Sequence, residues 1–171
     1  MKSMSAEQVT SFLAVAQKHS TQDYLMFLVT FCHALRISET LSLTKENIVG
    51  GHLVMQRLKG SCRTIQPLMP QERDAILQLA ATCEGRFFNI CRKTAWSHFQ
   101  QYGKEAGIPD FLLHPHTLRH SAAMIGLKGG MKINELQNYL GHKSGGNTLV
   151  YLQCEDDVAS KAFAKAVGYR G

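Results

Sequence analysis

One interruption in an otherwise helical pattern constrains the fold more than any other feature. Residues 52–58 (His-Leu-Val-Met-Gln-Arg-Leu) and 63–68 (Arg-Thr-Ile-Gln-Pro-Leu) read as two strands. Lys59-Gly60-Ser61-Cys62 joins them, a hairpin with glycine in the turn and Lys59 at its tip. Ahead of it, Ser5 and Gln8 have the spacing of a capping box, and Val9, Phe12, Leu13 and Ala16 follow at helical spacing, giving a helix over 6–18. Residues 24–31 are almost continuously apolar and form a deeply buried helix. Ser38 caps a short helix and leaves Arg36 at the turn before it. Beyond the strands, Pro70 opens a long helix with Ala75, Ile76, Leu79 and Ala80 inward. Ala95, Phe99, Tyr102 and Ala106 mark another over 94–106, and Leu118, Ala122 and Ile125 a further one. A helix over 132–140 stops at Gly141, and 155–167 carry a last amphipathic stripe (Val158, Ala162, Phe163, Ala166). The expected fold is mainly α with a small antiparallel β-sheet (α+β), in one domain over 1–171.

The chemistry concentrates in His114-Pro115-His116-Thr117-Leu118-Arg119-His120, which follows a loop of Gly107, Pro109 and Asp110. Arg119 lies three residues after His116, so the start of a helix puts both on one face. A guanidinium grips phosphate through a rigid fork of donors, and an imidazole moves protons near neutral pH. The pair suits chemistry on a phosphodiester. Zinc is the rival reading, through His114, His116 and His120. Against it, Arg119 repels a cation and no acidic or thiol ligand lies within the stretch.

The net charge of +6 and a pI near 9.2 favour a polyanionic partner. No apolar run is long enough to span a membrane, and the N-terminus has no signal-peptide pattern. Five cysteines without a CxxC pair read as reduced thiols of a cytosolic protein.

Taken in order, Ala34-Leu35-Arg36-Ile37-Ser38-Glu39, Lys59 eight residues before Pro67-Leu68, His116-Thr117-Leu118-Arg119-His120, Leu140-Gly141-His142-Lys143-Ser144 and Tyr151 nine residues further resemble the catalytic domain of the tyrosine recombinases, the phage-integrase family. Each motif alone is weak. The ordered set over 5–166 is specific. Ala34 departs from the glycine usual two residues before the first arginine. The helical DNA-clamping domain that usually precedes the catalytic one is expected to be absent. The chain then reads as an excised fragment or as a short member, similar to the recombinases that invert fimbrial promoters.

The resemblance implies roles. Tyr151 is the nucleophile, forming a 3′-phosphotyrosyl link; Tyr24, Tyr102 and Tyr139 read as core. Arg36 and Arg119 bind the non-bridging phosphate oxygens, and His142 hydrogen-bonds the phosphate. Lys59 protonates the leaving 5′-oxygen, and His116 accepts the tyrosine proton. Glu39 and His120 support the site from behind, and His114 is structural. Arg57, Arg63 and Lys143 are read as DNA contacts. No metal and no cofactor is implied. The expected partners are double-stranded DNA and other protomers in a tetramer on two sites, with 155–167 docking on a neighbour and no membrane involved. The setting is the cytoplasm of a bacterium, with a bacterial or phage gene and nucleoid DNA as target. Two other readings stay open: a type IB topoisomerase relaxing supercoils, and a DNA-binding protein that serves architecture or regulation without catalysis.

Overall fold

The structure, a computed structural model, describes residues 2–58, 61–114 and 116–143. Helix α1 (Ala6–His19) starts at the capping box read from the sequence: Ser5 Oγ accepts from the Gln8 amide at 3.2 Å and Gln8 returns the bond to the Ser5 amide at 2.9 Å. Helix α2 (Thr21–Cys32) follows after one residue, Ser20, which caps it through the Asp23 amide. α2 is buried on most sides, as its continuous apolar run requires. Phe12 of α1 and Phe27 of α2 meet Phe99 of α5 (Arg92–Glu105), with ring centroids 5.0–5.9 Å apart. These rings centre the main core. Tyr102 is buried there with its hydroxyl on Asp23 at 2.6 Å, and Tyr24 packs at its edge.

Helix α3 (Ile37–Thr40) is capped differently from the sequence reading. Its N-cap is Arg36, not Ser38, because the Glu39 carboxylate accepts from the Arg36 amide at 2.8 Å. The sheet has three antiparallel strands where two were expected: β1 (Ile48–Val49), β2 (His52–Gln56) and β3 (Arg63–Pro67), in that order. Gly50 and Gly51, at φ 57° and 76°, make the two-residue turn between β1 and β2, a conformation other residues seldom adopt. In the β2–β3 pair Val54 faces Ile65, and Leu53, Met55, Thr64 and Gln66 point inward.

Helix α4 (Arg73–Thr82) begins three residues later than the Pro70 reading placed it. Pro70 lies in a turn whose Met69 amide donates to Glu72 at 3.0 Å, so Glu72 organises the start. Of its four expected inward residues Ile76 is buried, Leu79 and Ala80 are half-buried and Ala75 is exposed. Helices α6 (Thr117–Lys128) and α7 (Ile133–Leu140) enclose a second cluster of Ala34, Ala123, Met124, Leu127, Leu136 and Leu140. Ala34, between α2 and α3, packs into the second cluster. Among the described residues Cys32, Cys62, Cys83 and Cys91 are free thiols, and no helix is long and apolar enough to cross a membrane. The amphipathic stripe expected over 155–167 lies outside the described residues.

Candidate active site

The site forms where the α2–α3 turn, the β2–β3 hairpin and the facing ends of α6 and α7 meet. Its foundation is Glu39, 1 % exposed. Oε1 accepts from Arg36 Nη1 and from the Leu58 amide, both at 3.0 Å. Oε2 accepts from the Arg36 amide at 2.8 Å and from Arg57 Nη1 at 3.0 Å. Burial by itself raises the pKa of this carboxyl. The two amides and the charges of Arg57 and Arg36 outweigh it and hold the group below its usual value, so Glu39 is an anion at neutral pH.

Arg57 differs from its sequence reading as a DNA contact. It is 2 % exposed, and all five of its N–H groups are used inside the protein. Nε donates to Thr64 Oγ1 at 3.1 Å, Nη1 to Glu39 Oε2 and to the Ala34 carbonyl, and Nη2 to the carbonyls of His33 at 2.8 Å and Tyr139 at 3.0 Å. A guanidinium in this state is a structural cross-link and has no surface to offer a phosphate. Arg63 and Lys143, its companions in that reading, are exposed.

Arg119 comes from the first turn of α6 and is 4 % exposed. Nη1 donates to the Ala34 carbonyl, and Nη2 to the Leu140 carbonyl at 3.0 Å. Nη2 also lies 3.2 Å from His142 Nε2. A guanidinium only donates, so Nε2 is the acceptor and the ring proton sits on Nδ1. Burial, reinforced by the charges of Arg119, Arg36 and Arg57, pushes the His142 pKa down to about 4. His142 is therefore a neutral imidazole, in contact with Arg119 and in the field of Arg36 and Arg57. Arg36 is partly exposed, unlike Arg57 and Arg119.

His116 is exposed and is the N-cap of α6. His120, one turn on, is half-buried, with ring centroids 6.1 Å from His116 and 6.0 Å from His114. Burial and the neighbouring imidazoles lower its pKa to about 4. Among the described residues no group of three or more His, Cys, Asp or Glu is arranged to hold a metal ion, these three histidines included.

Lys59 and Tyr151 lie outside the described residues. The chain on either side of Lys59 is nonetheless anchored in the site. Leu58, immediately before it, donates its amide to Glu39, and the Cys62 amide donates to the Gly141 carbonyl at 2.8 Å. Gly141 ends α7 at φ 70°, and a Cβ there would come within 2.6 Å of Arg57 Cγ and 3.1 Å of the Cys62 carbonyl. Only glycine lets the helix end, His142 and the hairpin approach so closely. Arg63, Thr64, Asn138 and His142 line a cleft of ≈ 530 Å³ beside this junction.

With this geometry on hand, the likeness to known proteins has a physical counterpart. Residues 2–157 match the profile of the phage integrase family. The chain belongs to this family, whose members are the tyrosine recombinases. It is 32 % identical over 180 residues to the tyrosine recombinase XerA of Pyrococcus furiosus, covering 97 % of this chain and 60 % of that protein. It is 30 % identical over 146 residues to the type 1 fimbriae regulatory protein FimE of Escherichia coli K12, covering 76 % of this chain and 73 % of that one. The chain thus spans about 60 % of the length of XerA. In structure it superposes on the XerH site-specific recombinase bound to palindromic difH substrate in a post-cleavage complex, with a TM-score of 0.76, 16 % identity and coverage of 95 % and 52 % of the two chains. At that identity the match establishes the fold, which is that of the integrase catalytic domain: mainly helical with a small antiparallel sheet.

His33, Gln66, Glu72 and the structural role of Arg57 escaped the sequence reading. One signal was available: Gln66 falls at an inward position of β3, where a polar side chain must find partners.

Proposed function

We propose that this integrase-family chain cleaves and rejoins DNA at specific sites through a 3′-phosphotyrosyl intermediate. The observation that carries the reading is Arg119 Nη2 3.2 Å from His142 Nε2, in a site where Glu39 and the Ala34 carbonyl tie Arg36, Arg57 and Arg119 together. Such a positive, partly enclosed site is built for an anion. Arg57 is consumed internally by Glu39 and four other acceptors; Arg36, Arg119 and His142 are the groups assigned to the phosphate.

In the proposed reaction Tyr151 Oη attacks phosphorus while His116 takes its proton. The Tyr–O–P bond forms as the P–O5′ bond breaks, and Lys59 gives the departing oxygen its proton. Arg36 and Arg119 neutralise the extra charge on the non-bridging oxygens of the phosphorane. His142, protonated on Nδ1, donates to one of them. Reversal by a 5′-hydroxyl of another strand rejoins the DNA with no net loss of phosphodiester bonds. Glu39 holds Arg36 and the base of the lysine arm. Arg63 and Lys143 contact the DNA backbone. The partners are duplex DNA and further protomers, in a tetramer on two sites, within the cytoplasm. The relatives support this: XerA carries the name of a tyrosine recombinase, and the XerH site-specific recombinase is seen bound to its difH substrate in a post-cleavage complex.

The test is covalent capture. The full chain is incubated with genomic fragments, and DNA surviving denaturation on the protein is sequenced. One recurrent sequence, with adduct lost in Tyr151→Phe, is the expected result. Adduct at full yield from Tyr151→Phe overturns the assignment of the nucleophile. Relaxation of plasmid with no site preference favours topoisomerase action, and DNA binding without any adduct favours an architectural role.

A further inference from the structure

Beneath the arginines lies a buried polar network that the reaction above does not use. His33 and Glu72 are wholly buried and Gln66 is 4 % exposed. His33 Nδ1 is 2.7 Å from Gln66 Oε1, and Nε2 is 2.5 Å from Glu72 Oε1. Gln66 Nε2 donates to the Tyr139 carbonyl at 2.8 Å, which orients its amide with Oε1 toward His33. An amide oxygen cannot donate, so His33 Nδ1 carries a proton. A second proton lies between Nε2 and Glu72. Histidine and glutamate together are then a neutral unit, whichever atom holds that proton.

Buried polar clusters of this kind are often no more stable than apolar packing of the same volume. What this one does is geometric. It joins the turn after α2 to β3, to the turn before α4 and, through Tyr139, to α7. The residue next to His33 is Ala34, at φ 47°, a left-handed conformation that a non-glycine residue adopts at a cost. Such a conformation persists where its surroundings over-determine it. Here the surroundings are the pinned His33 ring, the His33 carbonyl held by Arg57, and the Ala34 carbonyl shared by Arg57 and Arg119.

We infer that His33, Gln66 and Glu72 are positioning residues for the active site, fixing the Ala34 carbonyl on which Arg119 is seated. The inference rests on the proposed role of Arg119 as a phosphate ligand. Loss of the network frees the 33–34 peptide to turn, and Arg119 loses its aim. A misplacement of about 1 Å at a reacting group slows catalysis by up to about a hundred-fold.

The experiment uses the full chain and two variants. His33→Phe with Glu72→Met removes the network and leaves no buried charge behind. Gln66→Met keeps the neutral His33–Glu72 unit intact, and it decides the matter if the double variant does not fold. The first readout is the ¹⁵N guanidinium spectrum of Arg119, which needs no DNA. Separate, slowly exchanging Nη signals are expected in the parent and averaged ones in the variants. The second is the rate of covalent adduct on a nicked suicide duplex built from the captured sequence. It is expected to fall about ten- to hundred-fold, with DNA affinity within about twofold of the parent. In an Arg119→Lys background the same changes should slow it by less than about threefold, because both act through one group. Unchanged Arg119 signals, or an undiminished slowing in the Arg119→Lys background, overturns the inference. An absence of adduct from the parent refutes the proposed reaction instead, and the spectrum still decides the positioning role.

Discussion

Arg57 and Arg119 donate to the same acceptor, the carbonyl oxygen of Ala34. One guanidinium is sealed inside the hairpin's base and the other reaches the Leu140 carbonyl and His142 at the end of α7. Their shared oxygen makes the α2–α3 turn the mechanical centre of the domain. Glu39 completes the arrangement by joining Arg57 to Arg36. Arg36 and Arg119 are thus two ends of one hydrogen-bonded chain, Arg36–Glu39–Arg57–Ala34–Arg119.

This separates two arginines that look alike in sequence. Arg57→Met takes one of two guanidiniums from the buried Glu39 carboxylate and removes the Arg57 donor from the His33 carbonyl, which should cost at least about 1–3 kcal/mol. Arg63→Ala, at an exposed position, should stay within about 0.5 kcal/mol of the parent. Urea unfolding measures both. Arg63→Ala should instead weaken DNA binding and reduce the slope of log K against log salt by about 0.9, the share of one phosphate. Equal stability of the two variants contradicts the cross-link assigned to Arg57.

Ala34 accounts for the one local departure from the family motif. At φ 47° the position favours glycine, and alanine occupies it under strain. Ala34→Gly relieves about 1–2 kcal/mol of that strain. It also deletes a buried methyl, a loss of about 0.8 kcal/mol, and loosens the unfolded chain. The net change in thermal unfolding should stay within about 1 kcal/mol. Ala34→Val adds a branched side chain at positive φ in a filled cluster and should cost more than about 2 kcal/mol. A Val variant as stable as the parent contradicts the left-handed conformation.

The helices and the β2–β3 pair were legible because each carries its period over many residues. The motifs around Arg119 and His142 are local in sequence, and the fold brings the two side chains within 3.2 Å. Strand β1 was not legible: two residues cannot show alternation, and Gly50-Gly51 was the available sign of a turn. The start of α4 was misplaced because Pro70 is compatible with a first helical position, yet the Glu72 carboxylate draws the Met69 amide into a turn instead. Arg57 was misread because basic residues beside a hairpin are usually solvated. Its burial depends on Glu39, eighteen positions away, and on carbonyls from two other elements. Contacts of that kind exist only after folding.

Acid sensitivity follows from His142 and His120. Both pKa values are depressed from 6.5 to about 4 in the folded chain. Unfolded, each binds a proton near 6.5, so the unfolded state takes up protons first as the pH drops. Stability from these groups is complete above about 6.5 and declines as the pH falls from there toward 4. The melting temperature should therefore drop between pH 7 and 4.5. Replacing both histidines by asparagine should flatten that decline, whatever it does to the value at pH 7. An unaltered profile in the double variant would show that these imidazoles are not held neutral.

The last prediction separates Lys59 from the arginines. Removing a preorganised donor such as Arg36 or Arg119 costs roughly 2.7–4 kcal/mol, about a hundred- to thousand-fold in rate. Lysine should restore little at either position, because it lacks the planar fork. These losses concern the non-bridging oxygens and do not depend on the leaving group. Lys59 is proposed to protonate the departing 5′-oxygen. A substrate with sulfur at that bridging position has a leaving group that needs no proton. Lys59→Ala should cleave it at nearly the parent's rate and fail on ordinary DNA, while Arg36→Ala and Arg119→Ala remain slow on both. The anchoring of Leu58 to Glu39 and of Cys62 to Gly141 sharpens the expectation, since both ends of the lysine arm are tied to the site. Gly141→Ala, which forces a Cβ against Arg57 and the Cys62 carbonyl, should then reproduce part of the Lys59→Ala selectivity for sulfur. If Lys59→Ala is as slow on the sulfur substrate as on the natural one, Lys59 contacts the phosphate and the leaving group takes its proton from elsewhere.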